Sequence, residues 1–346
     1  MTQRKQVNKM ELNYKLLKQI INVDSPTGYC TKVIDLLENI VKELGFTYSK
    51  NQKGNLIIDV IGKSNYTKGL SAHVDTLGLM VRSINSDGTL KFTTLGGPLL
   101  NTYNAEYCKV YTRDNKVYTG TILSTSPAVH VFPDSRSKDL KEDTMCVRLD
   151  EVVYSKKDTE KLGIATGDII AIDPKFEITE SGYIKTRFLD DKASAFLLLE
   201  LLRYIKENNV TPTDNLKIIF TTYEEVGFGA SNIPNINEML AVDMGCIGLD
   251  LNCTEEQVSI CAKDSGGPYD YNMVSNLINL AKENNIDYAV DIYPYYSSDA
   301  TASLKAGNDI KAALIGTGVA ASHGMERTHK HGIENTFKLI LAYLNI

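Results

Sequence analysis

The stretch "LKIIFTTYEEVGFGA", Leu216 to Ala230, carries an apolar run straight into two adjacent glutamates and a glycine-rich turn. "LKIIFTTY" is short and mostly β-branched, aromatic or apolar, as a strand covered on both faces would be. Glu224 and Glu225 therefore stand at the end of a buried strand. Two like charges are costly there unless something positive holds them. On either side the pattern alternates. "KASAFLLLELLRYIKENN" reads as an apolar helix, and "QVSICAKD", "YAVDIY" and "KAALIGTGV" read as strands. "YNMVSNLINLAKENN", "DATASLKAG" and "GIENTFKLILAYL" carry helical spacing. Strands alternating with helices predict an α/β fold, a mostly parallel or mixed sheet flanked by helices.

The N-terminal part continues this pattern. "KMELNYKLLKQIINV" and "TKVIDLLENIVKELG" have apolar residues at helical spacing, and the second ends at Gly45. "NLIIDVIG" and "GLSAHVDT" read as strands. Between about Arg82 and Ile172 the character changes to short alternating segments: "TLKFTTL", "AEYCKVYTRDNKVYTGTIL", "DTMCVRLDEVVY" and "GDIIAID". Turn signals separate them, and only "SKKDTEKLG" suggests a helix, so a small all-β domain is expected. The economical organisation is an α/β domain over residues 1–81 and 173–346, interrupted by a β-barrel-like insert over 82–172.

A chain of 346 residues is long enough for about two domains of roughly 150 residues. A net charge of -6 provides no electrostatic footprint for nucleic acid. The N-terminus lacks the apolar core of a secretory signal, and no run approaches the roughly 18 apolar residues of a membrane span. The six cysteines form no CxxC pair and read as free buried thiols in a reducing cytoplasm.

The candidate chemistry gathers at strand ends. "SAHVDT" places His73 and Asp75 two residues apart on one face of a strand. A carboxylate beside a histidine can orient its ring or share a metal, although a satisfied core histidine explains the pair equally well. Asp190 and Asp191 in "RFLDDKASA" precede the long apolar helix, where capping accounts for one of them. Asp243 in "AVDMG" follows another short apolar run. Asp299 in "SSDATA" suits a helix cap. "ASHGMERTHKHG" holds His323, His329 and His331. Histidines and carboxylates at the C-terminal ends of strands, where open α/β sheets build their sites, form a set able to hold divalent metals. No GxSxG elbow or GxxxxGK[ST] loop is present.

Taken in order, "AHVDTLGLMV", "LDDKASA", "EEVGFGA", "VDMG" and "SDATA…ASHG" resemble the co-catalytic metal aminopeptidases of the tetrahedral (TET) type. These include glutamyl and deblocking aminopeptidases, some labelled endoglucanase. "SPTGY", "LGGP" and "SPAVHVF" extend the resemblance along the chain. It implies removal of N-terminal residues from short peptides by two bridged divalent ions (Zn²⁺, Co²⁺ or Mn²⁺). His73 and Asp243 would hold one ion, Glu225 and His323 the other, with Asp190 between them. Asp75 would orient His73, and Glu224 would be the general base. The β insert would mediate self-association, commonly into tetrahedral dodecamers.

The sequence departs from the family pattern at two places. Thr76 stands where a glutamate is usual, and "AASHGMERTH" replaces the commoner "RYIHS". His329 is therefore a rival to His323 as the last ligand. His331 is expected on the last helix facing solvent, and His130 is read as structural. Two alternatives carry different consequences. A non-catalytic member would keep the fold as a binding or scaffold protein. A glycosidase would need two carboxylates across a sugar groove, in a chain without tryptophan.

Overall fold

Four parallel strands lie side by side at the centre of the computed structural model, which describes residues 11–346: 215–221, 67–73, 238–242 and 311–319. Their neighbours run antiparallel. The hairpin of 47–50 and 56–60 extends one edge, and 258–264 flanks the other, so the sheet is mixed. Strand 311–319 is buried along eight of its nine residues, as expected for a strand covered on both faces. Register places His73 directly beside Thr221, so the ends of these two strands lie level.

The helices follow their sequence patterns. Thr31–Leu44 buries Val33, Ile34, Leu37 and Val41 on one face. It stops at Gly45, whose φ of 79° suits the left-handed closing position. Leu189–Glu207 has no polar stripe because sheet and neighbouring helices enclose it; even Glu200 is fully buried. Lys330–Leu344 closes the chain. The beginning of the first helical stretch, Lys9 and Met10, lies outside the described residues; the helix observed there is Tyr14–Ile21. Among the described residues no helix is long and apolar enough to cross a membrane.

Six strands between Gly78 and Ile172 close into a separate barrel with its own core around Phe92, Val110, Ile122, Val147 and Ile170. The "RDN" turn joins 107–111 to 117–124, with Asn115 at φ 64°. Of "DTMCVRLDEVVY" only 145–149 is strand; Val152 and Tyr154 are solvent-exposed. One small sheet has no counterpart in the sequence reading. Strand 183–186 pairs with 177–178 on one side and with 326–329 on the other.

Candidate metal centre

The four parallel strands end at one place, and each delivers a polar group there. His73 is the last residue of its strand. Glu224 and Glu225 form a single 3₁₀ turn three residues after strand 215–221. Asp243 follows strand 238–242, and His323 lies in the loop after 311–319. Asp190 enters from the start of the helix behind strand 67–73. Left-handed backbone at Phe188, Tyr223 and His323, all non-glycine, turns the chain sharply at or beside these side chains. Such conformations cost about 1–3 kcal/mol each and concentrate at functional sites.

The two histidines converge on the two oxygens of Asp190. Nε2 of His73 lies 2.9 Å from Oδ1, and Nε2 of His323 lies 3.5 Å from Oδ2. His323 Nε2 is also 3.7 Å from Glu225, and His73 Nε2 is 3.7 Å from Glu224. Both rings are oriented from behind. Nδ1 of His73 donates to the carbonyl of Asp75, and Nδ1 of His323 donates to the carbonyl of Gly97, each at 2.9 Å. A carbonyl only accepts, so Nδ1 carries the proton in each ring and Nε2 faces the carboxylates.

Asp75 was expected to orient His73 through its side chain. Its backbone carbonyl makes that hydrogen bond, and its carboxylate lies 3.6 Å from the ring nitrogen. The carboxylate instead accepts the backbone N–H groups of Glu224 at 3.1 Å and Glu225 at 3.2 Å, and the hydroxyl of Thr27 at 2.8 Å. Thr76 is buried beside this contact, with its N–H donating to Ser25 at 2.9 Å. Capping does not explain the two aspartates: the helix N-cap is Phe188, with no side-chain cap bond. Asp191 accepts the backbone N–H of His73 at 3.2 Å, and it lies with His73 and Asp243 in one group of close ligand atoms. Asp299 is not a cap either. It ties Thr221 to the backbone of Ala230, while Ser298 occupies the N-cap.

Charge dominates the cluster. Burial raises Glu224, Glu225 and Asp191 well above the usual carboxylate range, and their acidic neighbours add to it. Burial and Asp190 push Asp243 up to about 7. Burial opposes charge on the histidines. The hydrogen bond to Asp190 and the surrounding carboxylates outweigh it, raising His73 well above its ordinary value and His323 to about 10. Buried carboxylate oxygens of Glu225 and Asp191 have no hydrogen-bond partner. A dense set of buried carboxyls, orphaned oxygens and two histidines whose Nε2 atoms face those carboxyls fit divalent cations well. His73, Asp190 and Glu225 offer ligand atoms within 4.8 Å of one another, as do His73, Asp191 and Asp243.

His329 is elsewhere. Its Nε2 bonds the carbonyl of Ser181 at 2.8 Å and its Nδ1 accepts the N–H of His331 at 3.1 Å, so both nitrogens are committed. His331 lies exposed on the last helix, and His130 is exposed on the barrel. Two residues escaped the sequence reading. Glu326, only 2% exposed, accepts the backbone N–H groups of Asp190 and His323, each at 3.1 Å. Burial and Asp190 push its carboxyl up to about 8. Tyr296 lines the cavity with a buried hydroxyl lacking a partner, beside Asp243, Asp190 and Glu224.

Comparison with known proteins places the chain in a family. A family model for M42 glutamyl aminopeptidases matches residues 54–339. YhfE of Bacillus subtilis, a proposed aminopeptidase, is 45% identical over 333 residues, covering 95% of this chain and 96% of its own. The lysyl aminopeptidase of Pyrococcus furiosus is 25% identical over 223 residues, 64% of this chain and 62% of its own. Among solved structures, the TET1 peptidase of Pyrococcus horikoshii, described as able to assemble into a tetrahedron or a large octahedral shell, shares the fold. Its TM-score is 0.84 at 22% identity, over 96% of this chain and 98% of that one. With a family match over most of its length and a 45% identical relative spanning nearly all of it, the chain belongs to the M42 glutamyl aminopeptidase family.

Proposed function

We propose that the protein is a metal-dependent aminopeptidase that removes N-terminal residues from short peptides, using two bridged divalent ions and Glu224 as general base. The observation that carries this reading is the convergence of His73 and His323 on the two oxygens of Asp190, with Glu224 and Glu225 against the same histidines. His73 and Asp243 would hold one ion, Glu225 and His323 the other, and Asp190 would span both. Zn²⁺, Co²⁺ or Mn²⁺ suits this mixture of imidazole and carboxylate. When bound, the ions would supply Lewis acidity toward the peptide carbonyl and acidify water.

The protein's own groups do the rest. Glu224 takes the proton of the attacking water and returns it to the leaving amine. Asp75 holds the backbone of both glutamates, so the base and its neighbouring ligand keep a fixed spacing. The Tyr296 hydroxyl remains a neutral donor on the cavity wall, because burial and the nearby carboxylates push its pKa well above the ordinary phenol value.

The α/β part, expected over 1–81 and 173–346, is read as the catalytic domain, and the insert, expected over 82–172 with its first barrel strand beginning at Gly78, as the module for self-association. The assembling TET1 relative supports an oligomer, with a tetrahedral dodecamer as the form proposed. The six unpaired thiols suit work in a reducing cytoplasm. Hydrolysis of aminoacyl-p-nitroanilides, abolished by a chelator and restored by Zn²⁺, Co²⁺ or Mn²⁺, tests the activity. Chelator-resistant hydrolysis contradicts it.

A further inference from the structure

A cavity of about 660 Å³ opens at the carboxylate cluster, with Asp190, Glu224, Glu225, Asp243 and His323 among its lining. Its walls come from two loops. One follows Asp243 and supplies Met244, Ile247 and Leu251; the other follows strand 288–292 and supplies Tyr293, Pro294 and Tyr295. Met244 and Tyr293 are buried, whereas Ile247 and Leu251 are half-buried and still accessible to an occupant.

Outside the inner cluster, the charged side chains lining this space are Lys305, at the exposed end of helix 299–305, and Asp250, exposed on the first loop. They are of opposite sign, and neither is buried. A glutamate or lysine side chain held between these loops would lose its water without gaining a desolvated partner there, because on the aminopeptidase reading the carboxylates of the cluster are taken up by the ions; that loss is unfavourable. An apolar side chain gains from the same burial. The stretch "DIYPYYSS" lines this space, and "KDSGGPYDY" contributes no lining residue.

Resting on the aminopeptidase reading, we infer that this cavity receives the N-terminal side chain and selects apolar and aromatic residues, so that peptides beginning with leucine, methionine or phenylalanine are preferred over those beginning with glutamate or lysine. Ile247 is a specificity-determining residue in this arrangement.

The test is kcat/KM of the metal-loaded full chain on Leu-, Met-, Phe-, Glu- and Lys-p-nitroanilide. Leu, Met and Phe should exceed Glu and Lys by about tenfold or more, the scale at which pocket contacts discriminate. In Ile247→Arg, with metal content unchanged, the Leu-to-Glu ratio should fall by about tenfold. Glu or Lys as the preferred residue in the wild type overturns the assignment. If no anilide is cleaved, the aminopeptidase reading fails, and calorimetry with the amino-acid amides decides the pocket separately. Tighter binding of leucinamide than of glutamic acid α-amide and lysinamide sustains the inference; equal or weaker binding overturns it.

Discussion

The carboxylate of Asp75 accepts the backbone N–H of Glu224 at 3.1 Å. Its other oxygen accepts the N–H of Glu225 at 3.2 Å, so one fully buried side chain holds the turn that carries both glutamates. Asp75→Ala should therefore damage both of their roles. Metal affinity should fall by about 10–100-fold, the usual effect of losing a group that supports a ligand, and kcat should fall further in protein resaturated with metal. Titration with a metal indicator and steady-state kinetics check this. Unchanged affinity would show that the turn holds its shape without Asp75.

The two glutamates should separate cleanly by substitution. Glu224→Gln preserves shape and removes the base, so metal content should stay near wild type while kcat falls by about 10²–10⁴-fold. Glu225→Ala should lose metal, because one of its oxygens is buried without a partner and the other lies 3.7 Å from His323. Elemental analysis beside kinetics distinguishes the pair. A fully active Glu224→Gln would require a different base.

Glu326 is a positioning residue. It ties the backbone of Asp190 to that of His323, two elements separated by more than a hundred residues in sequence. Removing one acceptor for two buried N–H groups should cost about 1–3 kcal/mol for each group left unsatisfied. Glu326→Ala should lower the melting temperature and weaken metal binding together. Glu326→Gln, which keeps one carbonyl acceptor, should restore part of both. Equal losses in the two variants would show that charge rather than geometry matters there.

Metal loading should release protons. Without a cation, burial holds protons on Glu224, Glu225, Asp191 and Asp243, the last raised to about 7. Below that pH Asp243 is neutral and must lose its proton to ligate, so affinity should weaken as pH falls from 8 to 6. Calorimetric titration in two buffers of different ionisation enthalpy reads the protons directly. Binding without net proton release at pH 6 would contradict this electrostatic picture.

Much of the fold is visible in the sequence because it rests on strong, local signals. "LKIIFTTY" and "KAALIGTGV" are short, largely apolar runs bounded by turn signals, as covered strands are, and the turn-separated alternation between Arg82 and Ile172 marks the barrel. The candidate ligand types were legible for the same reason: His73, Glu225 and Asp243 each follow an apolar run. What escaped was non-local. The sheet joining 177–178, 183–186 and 326–329 includes a strand of only two residues and the polar "ERTH", neither with any pattern to detect. Glu326, which that sheet carries to Asp190, stands in a polar segment with no apolar run before it. The hold of the Asp75 carboxylate on the glutamate turn was not legible because its partners there are backbone groups about 150 residues away. His323 and His329 could be separated only by where their ring nitrogens bond.

The central claim is that Asp190 spans two divalent ions. Its most direct test is Co²⁺ titration of chelator-stripped protein, following visible absorption, metal per chain and peptidase rate together. Wild type should bind two ions per chain, with full activity on occupancy of both, and Asp190→Ala should lose tight binding at both positions. A single tight ion in wild type, or an Asp190→Ala variant that still binds two ions and turns over, would contradict the account.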